Sequence, residues 1–432
     1  MKAPMNDYLT ELLDICGEDD GAVADYIPEL AQADPDRLAV AIATLDGQVY
    51  SAGDADVEFS IQSISKPFTY ALAITDLGLE GVLERIDVEP SGDAFNEISL
   101  EPSTGRPRNP MINAGAIAAH ALVEGGDAPK RFERILELYS RLAGRELSVD
   151  EGVFESELDT ADRNMAIAYM LKTVGTLEDD PADVVRGYTR QCAVSVTVED
   201  LARMAATLAA NGMSPDGTRV LEPAVTRQVL SVMATCGMYD AAGDWLTTVG
   251  IPAKSGVAGG LIGVLPGQVG IAVFSPRLDQ HGNSSRGVRV FERLSADMGL
   301  HLMEAPESAR SVVRTPRVRD DGEPSVHELA GDLRFVESER VLRGLEAEPE
   351  GDGVVVLDLH RVHRVHDVAR RMLLEGVRRL RIDGHEVRLV DPDGLLPDPD
   401  VDVSEPGDDT PRDGYVPQVF DSLDEALAAS GG

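Results

Sequence analysis

The chain has 432 residues, of which 43% are hydrophobic. That is enough for two or three domains of roughly 100 to 200 residues, each with its own core, and it excludes disorder throughout. The 76 acidic residues against 39 Lys and Arg leave a net charge of −37, which excludes a nucleic-acid-binding surface that depends on overall positive charge.

No run approaches the roughly 18 to 20 apolar residues of a membrane span. The start, MKAPMNDYLTELLDICGEDD, meets Asp and Glu before any hydrophobic region of a secretory signal forms. Cys16, Cys192 and Cys236 are odd in number and lack CxxC or Cys/His zinc spacing. A reducing cytoplasm is therefore expected, with neither nucleic acid nor membrane as partner. The lysines are Lys2, Lys66, Lys130, Lys172 and Lys254; the other basic residues are Arg. An acidic, Lys-poor surface suits a high-salt cytoplasm, where ions screen self-repulsion. GC-rich coding would deplete Lys equally, and the sequence leaves both readings open.

In chain order, Asn6–Ile15 has helical periodicity, and Leu38–Gly53 reads as two strands around an Asp46-Gly47 turn. Ser63–Gly78 reads as a helix with Pro67 in its first turn and Ser63 at its N-terminus. Further helices are expected at Lys130–Ala143, Asn164–Thr173, Val198–Ala210 with Thr197 as cap, and from near Pro223. Gly260–Leu265 and Gly267–Ser275 read as a closing hairpin. Strands at both ends with helices between them predict an antiparallel sheet beside a helical cluster. Glu304–Pro324 changes to Arg, Pro, Ser and Asp and reads as a linker. Beyond it, Gly353–Leu359 reads as a buried strand, Val368–Leu380 as a helix, His385–Val390 as a strand, Asp398–Asp413 as an acidic loop and Leu423–Ala429 as a short helix.

Gln62-Ser63-Ile64-Ser65-Lys66 contains S-x-x-K. On a helix this spacing sets the Ser63 hydroxyl and the Lys66 amine one turn apart on one face. A lysine kept neutral by burial and nearby positive charge can take the serine proton. Alone, the pattern reads equally as an N-cap serine and an exposed lysine. Lys254-Ser255-Gly256 adds a K-[ST]-G strand of the kind that accompanies S-x-x-K in penicillin-recognising serine enzymes. There Lys254 would add the second positive charge that keeps Lys66 neutral.

The segments ADYIPEL (Ala24–Leu30), FSIQSISKPFTYALAI (Phe59–Ile74), RPRNPMINAGAI (Arg106–Ile117), ESELDTADRNMAIAYMLK (Glu155–Lys172), CGMYD (Cys236–Asp240) and AKSGVAGG (Ala253–Gly260) closely resemble the serine-dependent glutaminases. That family has a β-lactamase-like α+β fold. The resemblance implies hydrolysis of L-glutamine to glutamate and ammonia through an acyl-serine, with no metal or organic cofactor. By it, Ser63 is the nucleophile, Lys66 the base and Tyr239 an aid to proton transfer. Backbone N–H groups of Ser63 and Val257 form the oxyanion hole, and Lys254 supports the site. Glu157 receives the substrate α-ammonium, Asn113, Asn164 and Tyr188 the α-carboxylate, and Tyr26 and Gln62 complete the pocket. Family members commonly form dimers or tetramers, so a homodimer or homotetramer is expected.

The C-terminal segment resembles a STAS domain, a small α/β module, through VVVLDLHRVHRVHDVA (Val354–Ala369), HEVRLVDPDG (His385–Gly394) and VFDSLDEAL (Val419–Leu427). Many such domains carry a phosphorylatable serine where this chain has Asp367. Its partner is unspecified. His360, His363 and His366 recur every third residue, a spacing that on a strand and loop does not place them on one side, so no metal is expected there. The resulting division is 1–305 catalytic, 306–324 linker and 325–432 STAS-like. The rival readings are a penicillin-binding or β-lactamase relative and a glutamine sensor that relays to the C-terminal domain.

Overall fold

The computed structural model describes residues 4–17, 21–91, 100–304, 313–314, 324–349, 351, 353–396 and 417–429. The chain divides into two compact units, Met1–Ala305 and Pro306–Gly432.

The first unit is built on a five-stranded antiparallel sheet. Its order is Val49–Gly53, Ala39–Thr44, Val269–Phe274, Gly260–Leu265 and Ala253–Ser255. Strand Ala39–Thr44 shows why both faces are covered. Ala39, Ala41 and Ala43 point into the core shared with the helical cluster, and Val40 and Ile42 point to the opposite core. Side chains alternate across a strand, so a run apolar at every position must be buried on both sides. The second face is closed by helices Pro4–Cys16 and Ser285–Met298 and by Trp245. On the first face, helix Val198–Ala209 lies so close that a Cβ on Gly270 would come within 2.1 Å of the Ala206 nitrogen.

The helices start where local chemistry satisfies their first N–H groups. Thr197 and Asp200 form a reciprocal capping box before Val198–Ala209. Asp127 and Asp180 cap Ala128–Ala143 and Pro181–Cys192, each with proline in the first turn. Helix Ser65–Leu83 breaks its helical geometry at Gly78 (φ 79°), where the sequence pattern ends. Helices Asn113–Leu122, Glu151–Asp159, Pro181–Cys192 and Ser285–Met298 are additions to the sequence reading.

The second unit has a mixed sheet ordered Gln418–Phe420, Glu386–Val390, Val354–Val365, Ser325–Leu333 and Val313–Arg314. The first four strands are mutually parallel and the last pairs antiparallel. Two expectations change here. Val313–Arg314 pairs with Leu329 and Glu328, so the stretch read as linker contributes a strand. Strand Val354–Val365 runs well past Leu359, with register shifts at Asp358/Arg361 and Val362/Arg364. These irregularities break the strict two-residue alternation, and His360 and His363 are both exposed. His366 stands at the N-cap position of helix Asp367–Ile382, with no capping bond from its side chain. Asp398–Asp413 lies outside the described residues. Among the described residues no helix is long and apolar enough to cross a membrane.

Candidate active site

Ser63 lies in a 3-10 turn, Gln62–Ile64, that continues into helix Ser65–Leu83. The turn abuts the end of edge strand Ala253–Ser255: a Cβ on Gly256 would stand 3.1 Å from the Ile61 carbonyl oxygen and 3.3 Å from the Gln62 Cβ. S-x-x-K and K-S-G, nearly 190 residues apart in sequence, thus meet in space. The turn is held from behind. Ser65 Oγ donates to the Gln62 carbonyl (2.7 Å), Gln191 Nε2 to Ser65 Oγ (3.2 Å) and Tyr139 Oη to the Ser65 carbonyl (2.9 Å).

Lys66 is 1% exposed, and its Nζ donates to Asn113 Oδ1 (2.8 Å) and the Met111 carbonyl (3.2 Å). Two neutral acceptors do little to hold a buried ammonium, so burial brings its pKa down to about 8, with Cys192 opposing weakly. Lys254, fully buried, donates to the Ser255 carbonyl (2.8 Å) and sits 3.9 Å from the Tyr239 ring centroid. Burial is the leading cause at Lys66; Lys254 is likewise pushed well below its usual range, by burial first and by the like charge of Lys66 second, and that repulsion acts between the two amines in both directions.

Tyr239 opens a second 3-10 turn, Tyr239–Ala241, at φ 57°; Gln62 has φ 50°. Both are left-handed conformations that non-glycine residues seldom adopt. The Tyr239 hydroxyl donates to the Ser255 carbonyl (3.2 Å) and pairs with Ser63, and burial raises its pKa to about 12. The phenol therefore stays protonated while Lys66 titrates.

Three helices bring the polar partners in. Asn113 begins Asn113–Leu122, Asn164 lies in Asp162–Thr173 and Tyr188 in Pro181–Cys192. Asn113 links them: its Oδ1 accepts from Lys66 and from Tyr188 Oη (3.5 Å), and its Nδ2 donates to Asn164 Oδ1 (3.0 Å). On helix Glu151–Asp159, Glu157 Oε1 accepts from Tyr26 Oη (2.7 Å) and Gln62 Nε2 (3.1 Å). Burial raises the Glu157 carboxyl above the usual range, these two bonds lower it, and Glu29 raises it further. Val257 lies in the turn closed by Gly256 N–H to the Gly260 carbonyl and Gly259 N–H to the Gly256 carbonyl, both 2.9 Å. Its side chain packs on the cluster of Ile27, Phe154 and Ala258.

Every sequence-selected residue of the first unit thus falls in one neighbourhood. Sequence reasoning missed Gln191, Cys192 and Glu29. Cys192 lies 3.9 Å from Ser65 Oγ, and burial lifts its thiol pKa to about 11. The Asp180-Pro181 start signal would have revealed the helix that sets Tyr188, Gln191 and Cys192 on one face. Among the described residues no group of three or more His, Cys, Asp or Glu is placed to hold a metal.

A family model described as glutaminase matches residues 21–303. A glutaminase of Corynebacterium glutamicum is 53% identical over 399 residues, 91% of this chain and 96% of the relative. Among solved structures, that of the protein called Mglu has a TM-score of 0.83 at 51% identity and covers 92% of this chain and 100% of its own. Its native form in the presence of 4.3 M NaCl aligns with a TM-score of 0.83 at 47% identity, over 92% of this chain and 100% of that one.

Proposed function

The chain belongs to the glutaminase family and is an amidohydrolase, and we propose that it cleaves the γ-amide of L-glutamine through an acyl-serine on Ser63. The observation that carries this reading is the buried, weakly basic Lys66 one turn from Ser63, with the Tyr239 hydroxyl paired to the same serine. Neutral Lys66 takes the Ser63 proton as Oγ attacks the amide carbon. Backbone N–H groups of Ser63 and Val257 receive the oxyanion. Collapse breaks the C–N bond, and the proton on Lys66, passed with the help of Tyr239, leaves with ammonia. Water then attacks the ester with Lys66 again as base, releasing glutamate and restoring Ser63. Glu157 receives the α-ammonium. Asn164 and Tyr188 receive the α-carboxylate together with Asn113, whose amide also ties them to Lys66. Lys254 supports Tyr239 from the face of its ring.

The second unit serves as a STAS-like module for partner binding; its parallel strands with intervening helices support that reading. The protein works in the cytoplasm as a homodimer or homotetramer, and three buried free cysteines fit a reducing compartment. Rapid acid quench after mixing with glutamine, followed by mass spectrometry, tests the mechanism. A glutamyl adduct on the peptide containing Ser63 is expected, together with loss of ammonia release in Ser63→Ala while glutamine still binds by calorimetry. Substantial turnover by Ser63→Ala would refute it.

A further inference from the structure

Behind the nucleophile turn lies a chain of buried polar side chains. Ser65, Gln191 and His120 are fully buried and come from three helices: Ser65 opens Ser65–Leu83, Gln191 lies in Pro181–Cys192 and His120 in Asn113–Leu122. Counting donors gives the direction of each bond. The Ser65 hydroxyl has one proton, and its 2.7 Å bond gives it to the Gln62 carbonyl. Ser65 Oγ therefore accepts from Gln191, and only the amide Nε2 can supply that bond (3.2 Å). Gln191 Oε1 is left facing Thr69 Oγ1 (3.2 Å) and His120 Nδ1 (2.8 Å), so His120 carries its proton on Nδ1. Donation runs one way, from His120 through Gln191 and Ser65 to the Gln62 carbonyl. Bonds in such a series polarise and strengthen one another.

Both ends of this relay bear a cost. At the far end, position 187 must be glycine, because a Cβ there would stand 2.3 Å from His120 Nε2; a glycine inside helix Pro181–Cys192 weakens that helix. At the near end, Gln62 has φ 50°, which a non-glycine residue keeps only where its surroundings fix it. The peptide joining Gln62 to Ser63 is planar and trans, so its N–H points opposite to its C=O. Whatever holds the Gln62 carbonyl thereby sets the direction of the Ser63 N–H.

We infer that Ser65, Gln191 and His120 are positioning residues that aim the Ser63 N–H at the developing oxyanion by holding the carbonyl of the same peptide. The inference rests on the assignment of that N–H, with the N–H of Val257, to the oxyanion hole. None of the three side chains is among the groups assigned to the substrate's α-ammonium or α-carboxylate, so their effect belongs to the transition state.

Steady-state ammonia release by the full chain, with thermal melts on the same preparations, tests it. In Ser65→Ala the bond from the Ser65 N–H to the Gln62 carbonyl remains, so the peptide is loosened and not released. Its kcat falls about tenfold, less than the roughly 10²- to 10³-fold loss from deleting an oxyanion donor, and kcat/KM falls by the same factor. Gln191→Met behaves alike, and the double variant loses no more than Ser65→Ala alone, because the relay is already cut. His120→Leu lowers kcat about threefold or more, while His120→Asn, whose amide N–H reaches the place of Nδ1–H, stays within about twofold of wild type. This pair keeps the test open should a change at 65 or 191 prevent folding. The rise in rate set by Lys66 near pH 8 keeps its place throughout. Wild-type kcat in Ser65→Ala and Gln191→Met, with Val257→Pro strongly impaired, would leave the oxyanion hole standing and overturn the relay. Multiplied losses in the double variant, a rise in KM in place of the fall in kcat, or a lower melting temperature alone would overturn it too. Wild-type kcat in Val257→Pro would remove the oxyanion assignment itself, and the inference with it.

Discussion

Replacing Lys66 by Met separates what its charge does for catalysis from what it does to the fold. With the pKa at about 8, about one enzyme in eleven carries neutral Lys66 at pH 7 and about ten in eleven at pH 9, so kcat/KM of the wild type should rise about tenfold between them. The same shift is a statement about stability. The folded pKa lies below the unfolded value of about 10.4, so between pH 8 and pH 10.4 the unfolded chain binds more protons and wild-type stability gains as pH rises. Below pH 8 the folded protein carries a buried charge at a cost on the order of 3 kcal/mol. Lys66→Met removes that titration. It also forfeits the bonds to Asn113 and Met111, but this loss is a constant offset in pH. The stability difference, mutant minus wild type, should therefore fall by about 3 kcal/mol from about pH 7 to 10.5, measured by urea unfolding at matched salt. Groups that do not feel Lys66 titrate alike in both proteins and cancel, while Lys254 and Cys192, which do feel it, add their own coupled contribution. A flat wild-type rate profile between pH 7 and 9, or a stability difference that does not change with pH, would refute the argument that burial sets the basicity of Lys66.

Two further predictions follow from charge and packing. The Debye length shrinks from about 30 Å at 0.01 M salt to about 3 Å at 1 M, so a net charge of −37 should make the melting temperature rise with NaCl or KCl into the molar range, with activity retained; a flat or falling series at fixed pH would refute this. Gly270→Ala forces a methyl to within 2.1 Å of the Ala206 nitrogen, and should destabilise the first unit by about 2 kcal/mol or more in denaturant melts, whereas Gly267→Ala, where a Cβ meets nothing within 4 Å but φ is +76°, should cost about 1 kcal/mol from backbone strain alone.

Periodicity and caps made the strongly patterned elements legible. The two strands around Asp46-Gly47, the helix headed by Thr197 and the closing hairpin all have local signals that agree with their tertiary setting. The helices missed were of two kinds. Asn113–Leu122 is buried nearly all round and built mostly of Ala, with its polar residues Asn113 and His120 buried too, so it has almost no exposed polar face to produce a period. Pro181–Cys192 and Ser285–Met298 did carry signals, in Asp180-Pro181 and in Ser284 with Gly299, which went unread between less patterned stretches. At the site, six motifs contain every proposed residue but Tyr188, and none of them tells which side chains meet. That Asn113 bridges Lys66 and Asn164, or that Gln191 braces the turn below Ser63, depends on which helices meet, and no local pattern encodes that. Nor does any local pattern tell how deeply Lys66 and Lys254 are buried, which is the leading cause of the lowered basicity of both.

The left-handed backbones of Gln62 and Tyr239 set a limit on how this protein can be improved. Each such residue holds roughly 1 to 2 kcal/mol that glycine would release. Glycine would release that strain only by deleting a buried side chain that touches Glu157 or Ser63, and at Tyr239 the lost packing of a whole phenol, about 3 kcal/mol or more, outweighs the release. The strained backbone is thus held in place by the bonds and packing of its own side chains. A stabilisation campaign gains nothing at positions 62 and 239 and takes its increments elsewhere.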